Sequence, residues 1–433
     1  MKKSILIAFT IGLATAQLQA QVKVNSELKD LINKSFTYFP KVKEAENTVT
    51  TAEQRLELTK LNKMPEVNGT ASYDYVRPKI VIPFPLGPNG ALEPFQFAPV
   101  HNGNAAVNGS YALFDFGRLQ ANINKSKEDI QYAKHSVENV KAQLANQVAN
   151  IYYNIVYMQK AITIEDSVLS FLNDNKQIID AKVKNGDALK FDVVSIQASI
   201  DNEQNRKVDL QNGLQKQFNL LEYTTGVKQN NGNAFDFDLP VADADAALSA
   251  AQSANFDFIL AKDRIKQAQS DIAIAKMGDK PSVNLGAGAG VKNGYVPDVN
   301  AFKFNYSAGV TLTVPIYNAG RVKKQVQIAN TQVKQNELAE ASLSSTYRKD
   351  IEQALTDVQT NLERIKNTQG QIEQAKYAQQ LAAIRFKNGV GTNLELTNAS
   401  TNVETAELTK LQYQYQLCLA KIELARLMGN QYW

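Results

Sequence analysis

Two histidines and one cysteine are all the metal-seeking or proton-shuttling side chains of their kind in 433 residues. His101 follows a proline-rich stretch and His135 sits in a long helical pattern, and neither falls in a metal-ligand motif. Cys418, within Leu417-Cys418-Leu419-Ala420, reads as a small buried apolar residue, and a lone cysteine forms no intramolecular disulfide. Gly286, Gly288 and Gly290 alternate, but they lie in a strand pattern with no helix after them, so they make no phosphate-binding loop. No Gly-x-Ser-x-Gly elbow occurs. Carboxylate pairs fall on solvated helical faces, where they are common. The expectation is no catalytic residue, no cofactor, no metal ligand and no enzyme.

The residues whose spacing does carry information are turn formers. Arg118 ends Phe114-Asp115-Phe116-Gly117-Arg118, and Arg321 ends Tyr317-Asn318-Ala319-Gly320-Arg321, an offset of 203. Lys184-Asn185-Gly186 recurs as Lys387-Asn388-Gly389, and Gly226 as Gly429, at the same offset. Pro65-Glu66-Val67-Asn68 matches Pro281-Ser282-Val283-Asn284 at 216, so 13 extra residues lie between Tyr75 and His101. A period this long marks a duplicated structural half, not a solenoid of short repeats. The halves are placed at 21–240 and 241–433.

Each half reads as helix, two strands, very long helix, return helix. The 68 residues from Arg118 to Asn185 contain no glycine or proline. One helix over 118–185 would be about 100 Å long. Its twin, 321–388, is interrupted only by Gly370, which costs about 1 kcal/mol. The return helices are expected at 187–225 and 392–428. Val148, Ile151, Ile155, Ile162, Leu169 and Leu172 recur at helical spacing, while Asn, Gln, Lys and Glu fill the other faces, as in a solvated coiled bundle.

Period-two alternation marks strands at about 66–77, 104–115, 282–292 and 301–314. Val67, Gly69, Ala71, Tyr73 and Tyr75 alternate with Asn68, Thr70, Ser72 and Asp74; Phe302 to Val314 alternates in the same way. This pattern fits a half-buried soluble sheet or a membrane barrel. The strand lengths, the terminal aromatics and the leader described next favour the barrel. Four strands cannot close one, and bare edges are prohibitive in lipid. Two copies give eight strands, whose lumen side chains fill, so three copies and twelve strands are the smallest symmetric conduit. The Asn/Thr/Ser face would line the pore and the Tyr/Phe/Val face would meet lipid.

Residues 1–20 have the form of a secretory signal: Lys2 and Lys3, an apolar core from Ile5 to Ala16, and a small-residue cleavage site at Leu18-Gln19-Ala20. Cleavage would leave Gln21 first, with no cysteine positioned for a lipid anchor. The chain has 47 basic and 43 acidic residues, and losing Lys2 and Lys3 leaves a net charge of +2. Dispersed and balanced, these charges offer no basic face for nucleic acid.

The order of elements, the duplication and two helix-tip motifs resemble the TolC-like outer-membrane efflux proteins over nearly all of the mature chain. The first motif reads Ala181-Lys182-Val183-Lys184-Asn185-Gly186 and then Phe191-Asp192-Val193; the second reads Arg385-Phe386-Lys387-Asn388-Gly389, then Leu394-Glu395-Leu396 and Asn398-Ala399. The resemblance implies an α+β membrane protein: a helical periplasmic tunnel continuous with a twelve-stranded barrel in a homotrimer. It implies the exit duct of a tripartite efflux or type I secretion system in a Gram-negative outer membrane. Its partners would be outer-membrane lipid, a periplasmic adaptor and an inner-membrane transporter. Lys184, Asn185, Gly186, Asp187, Lys387, Asn388, Gly389, Val390 and Gly391 would be the adaptor-facing tips. Glu395 and Asp192 would stand at the periplasmic entrance. Asn398 takes a place that is acidic in some members, which leaves one acidic ring, and Gly391 takes the place of an arginine that ties the gate in some.

Simpler roles stand beside these. A glycine after a helix is a C-cap, and a carboxylate in a first helical turn favours the helix dipole. The proline-rich segment 78–99 is a loop that caps the pore, covers the barrel rim, or only connects. A secreted coiled-coil structural or adhesion protein with a small β-subdomain is the competing reading of the whole chain.

Overall fold

A computed structural model describes residues 22–85, 90–228, 232, 234–240 and 243–433. The expected leader 1–20 with its cleavage point at Gln21, and the position 241 that opens the second half, lie outside the described residues. The chain forms α1 (Ser26–Tyr38), α2 (Pro40–Leu61), β1 (Glu66–Tyr75), β2 (Val81–Pro85), β3 (Leu92–Gln96), β4 (His101–Phe114), α3 (Arg118–Asn185) and α4 (Lys190–Thr225). The second half follows with α5 (Ala244–Ala254), α6 (Phe256–Lys276), β5 (Ser282–Lys292), β6 (Lys303–Thr313), α7 (Arg321–Lys387) and α8 (Asn393–Met428).

The long runs without helix breakers became single helices: α3 is unbroken for 68 residues and α7 for 67. Each half opens on two helices where one is expected from the sequence. The break falls before Pro40 in the first, where Phe39 is extended, and at Asn255 in the second, also extended. Asn255 holds the second break: its Oδ1 accepts the Asp257 N–H at 2.8 Å and its amide donates to the Arg426 carbonyl at 2.9 Å. Both return helices start later than expected, at Lys190 and Asn393, because the residues after each glycine form a turn before the helix begins.

The offset of 203 recurs in backbone dihedrals. Phe116 and Ala319 both have positive φ, 54° and 53°, each followed by a glycine at positive φ. The Asp115 carboxylate accepts the Gly117 N–H at 3.0 Å, and the Asn318 side chain does the same for Gly320 at 3.0 Å. An Asx-type turn thus converts strand to helix in both halves.

Two compact units result, and neither is a sequence half. Among the described residues, the first comprises 22–45, 136–259 and 341–433, and the second comprises 46–135 and 260–340. The first unit packs a core in which Ala145, Val148, Tyr152, Ile155 and Val156 of α3 are wholly buried, with Leu221, Phe258, Ile351 and Ile422. Its buried phenols find partners: Tyr152 donates to Glu27 at 3.1 Å and Tyr153 to Asp236 at 2.9 Å. A short bridge between Lys23 and Asp238, with bonds of 2.9 and 3.0 Å, ties the chain before α1 to the linker after α4.

The second unit carries an antiparallel four-stranded sheet in the order β1-β4-β5-β6. Against the expected 66–77, 104–115, 282–292 and 301–314, β1 ends at Tyr75, β4 begins at His101 and β6 begins at Lys303. The proline-rich segment is a hairpin, β2 against β3, with Phe84, Phe95 and Phe97 clustered at centroid distances of 4.9 to 6.1 Å. Leu86 and its neighbours to 89 are outside the described residues. No described helix is long and apolar enough to cross a membrane.

Candidate functional site

At each helix tip the chain reverses through the same hydrogen bonds. The Gly186 N–H donates to the Val183 carbonyl at 3.2 Å and the Asp187 N–H to the Lys182 carbonyl at 2.8 Å. In the second copy, Gly389 donates to Phe386 at 3.1 Å and Val390 to Arg385 at 3.0 Å. This is a Schellman cap, and the glycines sit at φ +81° and +74°, where a Cβ is strained. Lys184, Asn185, Gly186 and Asp187 stand exposed on one turn, as do Lys387, Asn388, Gly389 and Val390 on the other. Gly391 is different. It is half-buried, and a Cβ there would lie 2.9 Å from the Arg385 Cβ and 3.0 Å from the Phe386 nitrogen. Its role is close packing more than surface.

The two tips touch. The Lys182 ammonium donates to the Phe386 carbonyl and stands 4.6 Å from the Phe386 ring centroid. The Asn393 amide donates to the Asp192 carbonyl at 3.3 Å. Beneath them Ile179, Ile196, Ile200, Phe386 and Leu396 form a small buried core. Leu189, Phe191 and Val194 of the first tip, and Val390 and Leu394 of the second, remain exposed. Charge and glycine spacing did not mark the first three or Leu394. Their signal is an apolar residue out of phase with Val193, Ile196 and Ile200.

The acidic residues divide. Asp192 is half-buried, and its carboxylate accepts the Leu189 N–H at 3.0 Å, so it caps α4. Glu395 is exposed, its own N–H capped by the Thr392 hydroxyl at 3.1 Å, and its carboxylate lies 3.6 Å from Arg385 Nε. Arg385 also donates to the Val390 carbonyl at 3.2 Å. Asn398 is exposed. An arginine is therefore attached to this tip from α7, although Gly391 supplies none.

The sheet sorts its residues by face through its register. Tyr73 faces Gly103, Val107 faces Ala289, and Ala289 faces Tyr306 across successive ladders. Val67, Tyr73, Val107, Tyr111, Leu285, Val291, Phe304, Tyr306, Val310 and Leu312 consequently share one face. Asn68, Thr70, Ser72, Asn104, Asn108, Asn284, Asn305, Ser307 and Thr311 share the other. A bulge between Ala112 and Phe114 shifts the register so that Phe114 meets Val283, which returns it to the apolar face. That face is bare: Val67, Tyr73, Val107, Tyr306, Val310 and Leu312 are all exposed. Strands of 11 residues rise about 37 Å and, tilted by about 45°, span about 26 Å, the height of a hydrocarbon core. No described strand pairs with the outer side of β1 or β6.

The remaining reactive side chains are engaged or inert. His135 pairs with buried Asp263 at 2.5 Å, and His101 shares a 2.6 Å hydrogen bond with Tyr73. Cys418 is buried, and desolvation pushes its thiol well above the usual range, against thiolate chemistry. One group of possible metal ligands is present among the described residues: Glu165, Glu203 and Glu404, from three helices of the first unit. Burial, followed by the charges of Glu404 and Glu203, pushes the Glu165 carboxyl up to about 7. Sequence spacing could not reveal this group, since its members lie far apart in the chain and on separate elements.

The sequence profile of outer membrane efflux proteins matches residues 31–227 and 247–430. The pyoverdine export outer membrane protein OpmQ of Pseudomonas putida is 23% identical over 341 residues, which cover 76% of this chain and 70% of OpmQ. The cation efflux system protein CusC of Escherichia coli is 20% identical over 420 residues, 94% of this chain and 87% of CusC. A crystal structure of CusC superposes with a TM-score of 0.76 at 19% identity, covering 95% of this chain and 94% of that one. The outer membrane protein VceC of Vibrio cholerae gives 0.74 at 17% identity, covering 94% and 97%.

Proposed function

This chain belongs to the outer membrane efflux protein family, and from that premise we infer that it is the exit duct of a tripartite efflux or type I secretion system. It works as a homotrimer and conducts without catalysis. One observation carries this reading: a sheet with one continuous exposed apolar face, one polar face and two unpaired edges. Unpaired backbone groups cost several kcal/mol each in hydrocarbon, so the edges must pair with other copies of the same sheet. Three four-stranded sheets make a twelve-stranded barrel whose polar face lines a lumen. The same face would not tolerate water, which weighs against a secreted coiled-coil spacer or adhesin.

The exposed tips, with Lys184, Asn185, Asp187, Lys387, Asn388 and Val390, supply the surface for a periplasmic adaptor that leads to an inner-membrane transporter. The exposed Leu189, Phe191, Val194 and Leu394 add an apolar component to it. Glu395 is the acidic residue of the entrance, while Asp192 serves its helix. Sequence relatives are named for pyoverdine, cations and toluene, so membership of the family does not itself fix the cargo.

Membrane fractionation followed by mass measurement in detergent tests the assembly. The protein should fractionate with the outer membrane and weigh three protomers. A water-soluble monomer would overturn the reading.

A further inference from the structure

Well inside the first unit, α3, α4 and α8 each turn a glutamate towards the same point. Glu165, Glu203 and Glu404 are 1%, 7% and 2% exposed, and one carboxylate oxygen from each lies within 4.8 Å of the others. Buried carboxylates need a counter-charge. Arg206 is the cation paired with them: it bonds Glu203 at 3.0 Å and also Glu404, with 54% of its side chain in solvent. Among the described residues, one guanidinium faces three carboxyl groups, which leaves the group short of positive charge whenever all three are ionised. Glu165 Oε2 and Glu404 Oε2 have no hydrogen-bond partner among the described residues. A separate, uncharged side chain has the same lack. The Ser400 hydroxyl is 2% exposed, lines the cavity shared by Glu203, Arg206 and Glu404, and has no partner either.

We propose that Glu165, Glu203 and Glu404, with the Ser400 hydroxyl, bind a hard divalent cation, with calcium the best fit. An all-oxygen donor set selects calcium, magnesium or manganese over metals that seek thiolate or imidazole. Calcium takes six to eight oxygens at about 2.3–2.6 Å in a flexible geometry, which carboxylate oxygens within 4.8 Å of one another can meet. Magnesium demands a tighter octahedron and holds its water. With Arg206 remaining at the solvent edge, a divalent ion brings the group to neutrality. The ion ties α3, α4 and α8 together at a level distinct from the tips. The inference stands whether or not the chain is a channel, since it depends only on the packing of these three helices.

The test uses the full chain in detergent, stripped with a chelator and titrated with calcium chloride by calorimetry and thermal unfolding. Wild type should show one saturable site per protomer and a rise in Tm. Glu165→Gln should bind about tenfold more weakly or worse, yet be more stable than wild type in chelator, because it relieves repulsion among buried carboxylates. Arg206→Gln should bind at least as tightly as wild type. Asp209→Asn, an exposed position of α4, should change nothing. The proposal is overturned if neither wild type nor Arg206→Gln binds calcium saturably at millimolar concentration, or if Glu165→Gln binds like wild type. Saturable binding of manganese or magnesium without calcium would overturn the assignment to calcium.

Discussion

Glu395 and Asp192 occupy the same turn of sister helices and do different things. Asp192 is consumed by its backbone, accepting the Leu189 N–H. Glu395 leaves that work to the Thr392 hydroxyl, and its carboxylate is free to face outward beside Arg385. At 3.6 Å and about half exposed, the pair is worth about 0.2–1 kcal/mol. On the proposed reading, that would blunt an acidic ring at the entrance without abolishing it. In planar bilayers Glu395→Gln should lower cation preference and Arg385→Ala should raise it, each by about twofold to fivefold. Asp192→Asn should lower stability instead. If both Glu395→Gln and Arg385→Ala leave selectivity unchanged, Glu395 plays no part at the entrance. Residue spacing in the sequence could offer both carboxylates as candidates, but it could not tell a cap from a free charge. That distinction lies in which residue precedes the helix, leucine at 189 or threonine at 392.

Elements were easier to read than sites. The run from 118 to 185 had to be helical because nothing in it stops a helix, and Gly186 had to end it because a left-handed residue was needed there. The hairpin of β2 and β3 was hidden, since Pro83, Pro85 and Pro94 break the alternation that marks a strand. The strands themselves were legible, yet their register was not, because alternation fixes which residues share a face of one strand and says nothing of its neighbour. The register makes a sharp contrast between adjacent positions of β4. Val107→Arg places a charge on the apolar face and should cost about 2–4 kcal/mol near the bilayer midplane. Asn108→Arg, one residue on, enters the polar face and should cost far less. Heat-modifiable mobility of the assembled protein on gels should be lost in the first and kept in the second. Equal loss in both would mean that the two faces do not meet different solvents.

At the scale of the molecule, the sheet belongs to one unit and the tips to the other, so the proposed reading assigns assembly and adaptor docking to different units. Reversing Lys184 and Lys387 together to glutamate should therefore stop transport by at least tenfold, a loss of about 1.4 kcal/mol or more in adaptor binding, while the trimer mass stays unchanged. Normal transport in that variant would reduce the tips to ordinary turns. Each unit draws chain from both duplicated halves, so the halves cannot be parted into two independent folds. The same interleaving dictates the order in which surfaces become protected. A polypeptide delivered from its first residue to its last presents the β1–β4 pair early, with an apolar face and bare edges. It must then wait for α3, α4, α5 and α6 before β5 arrives to cover one edge. Exposed sheet edges recruit other chains. The long separation of β4 from β5 therefore makes shielding of the nascent strands an expected need of this topology until lipid receives them.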